Sequence, residues 1–109
     1  MESIEKKLRR AVDGFNEESY QSSFDIFKPL AEQGNAKAQF YIGFLYRIGK
    51  AVNQDYHQAY HWYLLSAEQG YAEAQYKIGL MYYKGKVVKK SFQKAFDWYS
   101  LAAKQQNPK

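Results

Sequence analysis

His57 and His61 stand four residues apart, a spacing that brings two imidazoles to one face of a helix and lets them share a metal ion. A stable site needs a third ligand, and neither neighbourhood supplies an obvious one. The pair therefore reads as two outward histidines, and no metal is expected. Other reactive chemistry is sparser still. The chain has no cysteine, which excludes disulfides, thiolate nucleophiles and Cys-ligated zinc. It has no Gly-x-Ser-x-Gly elbow and no phosphate-cradling glycine loop. The carboxylates do not pair: Asp55 stands where a helix should begin, and Glu32 and Glu68 stand where helices should end. No histidine adjoins a plausible nucleophile. The expectation is a protein with no catalytic residues and no cofactor.

The elements that carry these residues recur every 36 positions. Glu32-Gln33-Gly34 returns as Glu68-Gln69-Gly70, Gly43 as Gly79, Gly49 as Gly85, Ala59 as Ala95, and Trp62-Tyr63 as Trp98-Tyr99. A looser copy precedes them: Ser19-Tyr20 matches Asp55-Tyr56, and Ala31 matches Ala67 and Ala103. Such a period marks stacked supersecondary units, none able to bury its apolar face alone. It points to recognition rather than catalysis. With 11 Tyr and 7 Phe against 2 Trp in 109 residues, large rings must fill the core.

Within each unit the apolar spacing is helical. The pattern predicts helices from about Ser3 to Asn16, Tyr20 to Gln33, Ala36 to Ile48, Tyr56 to Gln69, Ala72 to Lys84 and Phe92 to Gln105. Asp55 and Ser91 fall at N-cap positions, and Gly70 falls just past a helix end. Gly43 and Gly79 lie inside helices at a cost of about 1 kcal/mol against Ala. A cost repeated at one position predicts close helix packing, with Ala59 and Ala95 as the small partners. Pro29 removes a hydrogen bond to the Asp25 carbonyl and should bend the second helix. The fold class is all-α, three antiparallel helix pairs, with one domain divided into 1–33 (degenerate), 34–69, 70–105 and a tail at 106–109.

The string Ala36-Lys37-Ala38-Gln39-Phe40, Gly43, Leu45-Tyr46, Gly49, Val52, Asp55, Ala59, Trp62-Tyr63, Ala67 resembles the Sel1-like repeat family, a relative of the tetratricopeptide repeats. It recurs as Ala72-Glu73-Ala74-Gln75-Tyr76, Gly79, Met81-Tyr82, Gly85, Val88, Ala95, Trp98-Tyr99 and Ala102-Ala103. The resemblance is strong over 34–106 and loose before that. It implies a right-handed α-solenoid that binds protein partners as an adaptor, a regulator of assembly or an immunity protein against a secreted toxin. The family's usual second loop glycine is replaced by Ala51 and Val87, and Ser91 stands where the loop Asp is usual.

By that resemblance the first helix of each pair lines a concave face. The face would carry Lys37, Phe40, Phe44, Arg47 and Ile48 from the second unit, and Glu73, Tyr76, Leu80, Tyr83 and Lys84 from the third. Rings that anchor beside charges that orient suit a protein or peptide partner. Phe40 and Tyr76 also match framework positions, where the bland reading is core. The inner positions are largely apolar, so the face does not resemble the carboxylate-clamp tetratricopeptide type. Trp98 and Leu101 lie where a following unit would cover them, which makes that end a second candidate, for self-association or for partner docking.

The net charge of +5 concentrates in Lys84, Lys86, Lys89, Lys90 and Lys94 and near Lys6, Lys7, Arg9 and Arg10. A solvated surface is the bland reading and an anionic or nucleic-acid partner the sharper one. Nucleic acid is the weaker choice, because the lysines cluster in a loop while the rings follow the packing period. No segment approaches the roughly 20 apolar residues of a membrane helix. The charged start is no export signal, so the expected compartment is the cytoplasm, or the periplasm had a signal been removed.

Overall fold

The computed structural model describes residues 1–106, which contain six helices and no strand. They are α1 (Ile4–Asn16), α2 (Tyr20–Glu32), α3 (Ala36–Ile48), α4 (Tyr56–Glu68), α5 (Ala72–Lys84) and α6 (Phe92–Gln106). Each helix packs against the next in sequence, so three helix pairs stack as an all-α solenoid. Residues 107–109 of the tail lie outside the described residues.

Side-chain caps from Ser3, Asn35, Asp55 and Ser91 start α1, α3, α4 and α6, whereas α2 and α5 begin without one. The Asp55 carboxylate accepts from the His57 and Gln58 amides at 3.0 and 3.1 Å, and Ser91 Oγ accepts from the Lys94 amide at 3.1 Å. Two residue types thus do one job at equivalent positions. Helices α2 and α4 stop one residue earlier than the periodicity predicts. Gln33 and Gln69 serve as C-caps, and the chain turns at Gly34 and Gly70 with φ of 101° and 96°.

The loops between paired helices carry strain. Ala51 and Val87, which replace the usual second glycine, hold φ of 67° and 71°. The left-handed region costs an L-residue roughly 1–2 kcal/mol, and β-branched Val is poorly suited to it. Backbone bonds hold the loops in place. The Asp55 amide donates to the Tyr46 carbonyl at 2.9 Å, and the Ser91 amide to the Tyr82 carbonyl at 3.0 Å.

Two apolar clusters form the core. Ala11, Phe27, Leu30, Ala31, Ala38 and Ile42 join the first pair to α3. Phe40, Ala59, Tyr63, Ala67, Ala74, Ile78 and Met81 join the second pair to α5. Glutamines stitch the same junctions. Gln39 and Gln75 Nε2 donate to the Ala31 and Ala67 carbonyls, each at 3.2 Å. Gln69 and Gln105 then donate to the Gln39 and Gln75 side-chain oxygens at 2.9 and 3.0 Å.

The helical glycines sit under tyrosine rings. A Cβ on Gly43 would stand 2.9 Å from Tyr63 Cδ1 and 3.2 Å from the Ala59 carbonyl oxygen. On Gly79 it would stand 2.8 Å from Tyr99 Cδ1 and 3.2 Å from the Ala95 carbonyl oxygen. The small partners are those the sequence proposes; the ring at each contact is an addition. The two sites differ in freedom, because Tyr63 is fully buried whereas Tyr99 is half-buried. Gly43→Ala is therefore expected to cost about 1–3 kcal/mol by overpacking. Gly79→Ala should stay within about 1 kcal/mol of the parent, since Tyr99 can swing aside and helix propensity improves. Thermal melts check this, at about 4–8 °C per kcal/mol. Equal losses would contradict the distinction.

Candidate partner-binding groove

Helix α5 lines an open groove of about 860 Å³. Tyr76, Leu80 and Tyr83 come from α5; Tyr99, Ala102 and Ala103 face them from α6, and Phe40 closes the α3 side. Glu73 and Lys77 add one charge of each sign. Tyr76 and Tyr83 are 50% and 53% exposed, although each has a ring neighbour. Tyr76 lies 5.3 Å from Tyr99 and Tyr83 lies 5.4 Å from Phe92, centroid to centroid. Rings held by rings lose little freedom when a partner covers them.

The repeat explains why this surface is open. Tyr76, Tyr99 and Ala103 are the equivalents of Phe40, Tyr63 and Ala67 one unit earlier. There the same surface is covered by Ala74, Ile78 and Met81 of α5. The junction before it has Ala38 and Ile42 of α3 seated on α1 and α2. Among the described residues no helix takes that place on α5 and α6.

A smaller pocket of about 150 Å³ adjoins the groove and shares Lys77 and Leu80 with it. Arg47, Lys77, Lys84 and Lys86 all line it, with Tyr56, Tyr63 and Met81. The Arg47 guanidinium stands 4.8 Å from the Phe44 ring centroid, and Lys77 Nζ stands 5.7 Å from it. Phe44 is itself fixed against Phe15 at 5.2 Å. Burial, then the charges of Arg47 and Lys84, lowers the Lys77 pKa below its usual value. The Tyr63 hydroxyl is buried without a hydrogen-bond partner, as is Arg47 Nε. Although Arg47 pulls the Tyr63 phenol pKa down, burial prevails and pushes it up to about 12.

Of the residues that the sequence proposes, Phe40, Glu73, Tyr76, Leu80 and Tyr83 meet in the groove. Arg47, Leu80 and Lys84 meet in the basic pocket. Phe40 is 9% exposed and belongs mainly to the core. Phe44 lines neither space; it supports Arg47. Lys37 and Ile48 are half-buried and line neither. Sequence reasoning missed Lys77, Tyr99, Tyr63 and Lys86. The period could have found Tyr99, which repeats a core tyrosine onto an uncovered helix pair. Lys77 had no such signal, since its equivalent one unit earlier is Tyr41.

The remaining candidates fall elsewhere. His57 and His61 line a shallow depression with Asp55 and Gln58, and the Asp55 carboxylate is engaged in its cap. Among the described residues no three His, Cys, Asp or Glu side chains cluster as a metal site. At the C-terminal end Trp98 is half-buried against the core, and the exposed apolar groups on α6 are Phe92, Phe96 and Leu101. Lys86, Lys90 and Lys94 lie over the rings of Tyr56, Phe92 and Tyr82 at 4.6, 5.5 and 5.5 Å. No helix among the described residues is long and apolar enough to cross a membrane.

The Sel1 repeat model matches residues 36–71 and 72–107, two residues later than the divisions drawn from the sequence. The chain is similar to a Sel1 repeat protein from Oxalobacter formigenes, at 35% identity and a TM-score of 0.83 over 90% of this chain. It is also similar to c5321, a protective antigen present in uropathogenic Escherichia coli strains and displaying an SLR fold, at 33% identity and a TM-score of 0.83 over 94% of this chain. The match spans 40% of the first protein and 23% of the second. No curated protein matches the sequence. The chain belongs to the Sel1 repeat family, whose repeats generally mediate protein–protein interactions and are typically non-catalytic.

The buried phenol gives a pH dependence. The unfolded chain deprotonates Tyr63 near the ordinary value of 10.0, the folded chain only at about 12. Folding therefore keeps its full benefit below pH 10 and loses it as pH rises towards 12. Tyr63→Phe is expected to flatten that alkaline loss, read by denaturant melts across the window. An unchanged slope would contradict the assignment.

Proposed function

We propose that this Sel1 repeat chain is a non-catalytic module that binds a helical segment of a protein partner in the groove along α5. The observation that carries the reading is the equivalence between Phe40, Tyr63 and Ala67, covered by a helix, and Tyr76, Tyr99 and Ala103, which line the open groove. Twice in this chain such a surface is filled by the same pattern. Ala38, Gln39 and Ile42 fill it once, with Leu45 buried at the register of Met81, and Ala74, Gln75, Ile78 and Met81 fill it again. A partner helix with a small residue followed by aliphatics four and seven positions later would repeat those contacts. Helix-in-groove recognition reads anchors at this kind of spacing. A second copy of the chain is a poor source, because both of its matching helices are already buried.

The lysine-rich loop supports this reading over nucleic acid. Lys86 and Lys90 of the loop and Lys94 of α6 already rest on aromatic rings, so those ring faces are not free to stack on bases.

The test uses a stapled helical peptide with the sequence of residues 72–84, because an isolated helix of that length is marginal in water. Titrated into the isotopically labelled chain, it is expected to shift Tyr76, Leu80, Tyr99 and Ala103. Tyr76→Ala/Tyr83→Ala should weaken it by roughly tenfold or more, in line with two anchoring rings of over 1 kcal/mol each. Shifts confined to another surface, or none at all, would refute the groove.

A further inference from the structure

We propose that the basic pocket beside the groove binds the carboxylate of an acidic side chain carried by the partner segment. Four cations, Arg47, Lys77, Lys84 and Lys86, converge on about 150 Å³, and no Asp or Glu lines it. The salt bridges among the described residues, Arg10–Glu2 and Lys28–Glu32, lie elsewhere. Like charges held this close repel, and an anion would offset the repulsion.

Two further observations point to a ligand. Tyr63 is 0% exposed, lines this pocket and faces Arg47, itself a donor, so its hydroxyl proton has no acceptor. Buried polar groups are normally satisfied, so a lone phenolic donor beside four cations is a donor awaiting an acceptor. Arg47 Nε is a second buried donor with no partner, and its side chain is held on the Phe44 ring. An arginine so fixed can present donors to a planar carboxylate with little ordering left to lose.

The walls favour a carboxylate on a short apolar stem. Leu80 and Met81 line the pocket beside the cations, so the methylenes of a glutamate would meet side chains rather than water. Lys77 and Leu80 also line the groove, so one bound segment reaches both spaces. Recognition of a partner segment at this pocket rests on the proposed groove. The pocket's preference for a carboxylate does not.

The experiment separates the two. The full chain is titrated with sodium propionate against sodium chloride of equal ionic strength, following the Arg47 Nε–H by NMR. A saturable shift is expected, weakened about tenfold in Lys84→Gln, as for a lost hydrogen bond to a charged group. It should weaken severalfold in Tyr63→Phe, which keeps the ring and removes only the donor. Lys89→Gln/Lys90→Gln should leave it unchanged, and melting curves establish that each variant is folded. An unsaturable drift, or equal weakening by the Lys89/Lys90 control, would overturn the proposal. Saturable binding of inorganic phosphate without propionate would overturn the carboxylate assignment. In a second arm the stapled helix carries Glu or Gln at its pocket-proximal end. Tighter binding of the Glu form, lost in Lys84→Gln, supports the full proposal. Equal binding of both forms leaves the groove standing and removes the pocket from recognition. Propionate binding with no helix bound leaves an anion site and removes its link to the groove.

Discussion

The contact on which this structure depends is the Tyr63 ring lying against the backbone of Gly43. It sets how closely α3 and α4 approach. It also places a large ring where Phe40, Ala59, Ala67, Ala74, Ile78 and Met81 can close around it. One side chain thus ties a helix pair to itself and to the next unit. Tyr63 also lines the basic pocket between α3, α4 and α5, with its buried hydroxyl beside Arg47. The repeat of this contact at Gly79 and Tyr99 has the same local geometry and a different fate, because no described helix covers it.

Core and site are therefore one surface at two stages of covering. A solenoid unit exposes the face that its neighbour needs, and the nearest-neighbour logic of repeat stability makes that face adhesive wherever it is left free. The face that no helix among the described residues covers carries Tyr76, Tyr83 and Tyr99 beside Leu80, Ala102 and Ala103. Phe40 becomes Tyr76, whose hydroxyl keeps an exposed ring soluble while its body remains available for contact. Phe44 becomes Leu80, which serves both the groove and the basic pocket. Under the proposed function, small changes at fixed register turn a packing surface into a recognition surface.

Much of the fold was legible in the sequence, because a period repeated twice places glycines, caps and rings without any need for distances. Asp55 and Ser91 show this: register and residue type together mark both as caps, and both make the cap hydrogen bond. The strain at Ala51 and Val87 was less readable, since the resemblance marked a missing glycine but only the dihedral angles show that the loop kept its shape. Of the site, the apolar part was half legible. Tyr76 and Tyr83 came from the assumption that the first helix of each pair lines the inner face, and that assumption hid Tyr99, Ala102 and Ala103 on α6. The basic pocket was least legible. Arg47, Lys77 and Lys86 belong to different units and to a loop, break the period, and converge only in three dimensions.

The most direct test of the central claim is a photocrosslink from the groove floor, with a benzophenone amino acid introduced in place of Tyr76 in the full chain inside its own cells. The account predicts adducts with one dominant protein, mapped by mass spectrometry to a helical segment with a small residue followed by aliphatics four and seven positions on. Adducts scattered over many proteins, or formed only with nucleic acid, would contradict it.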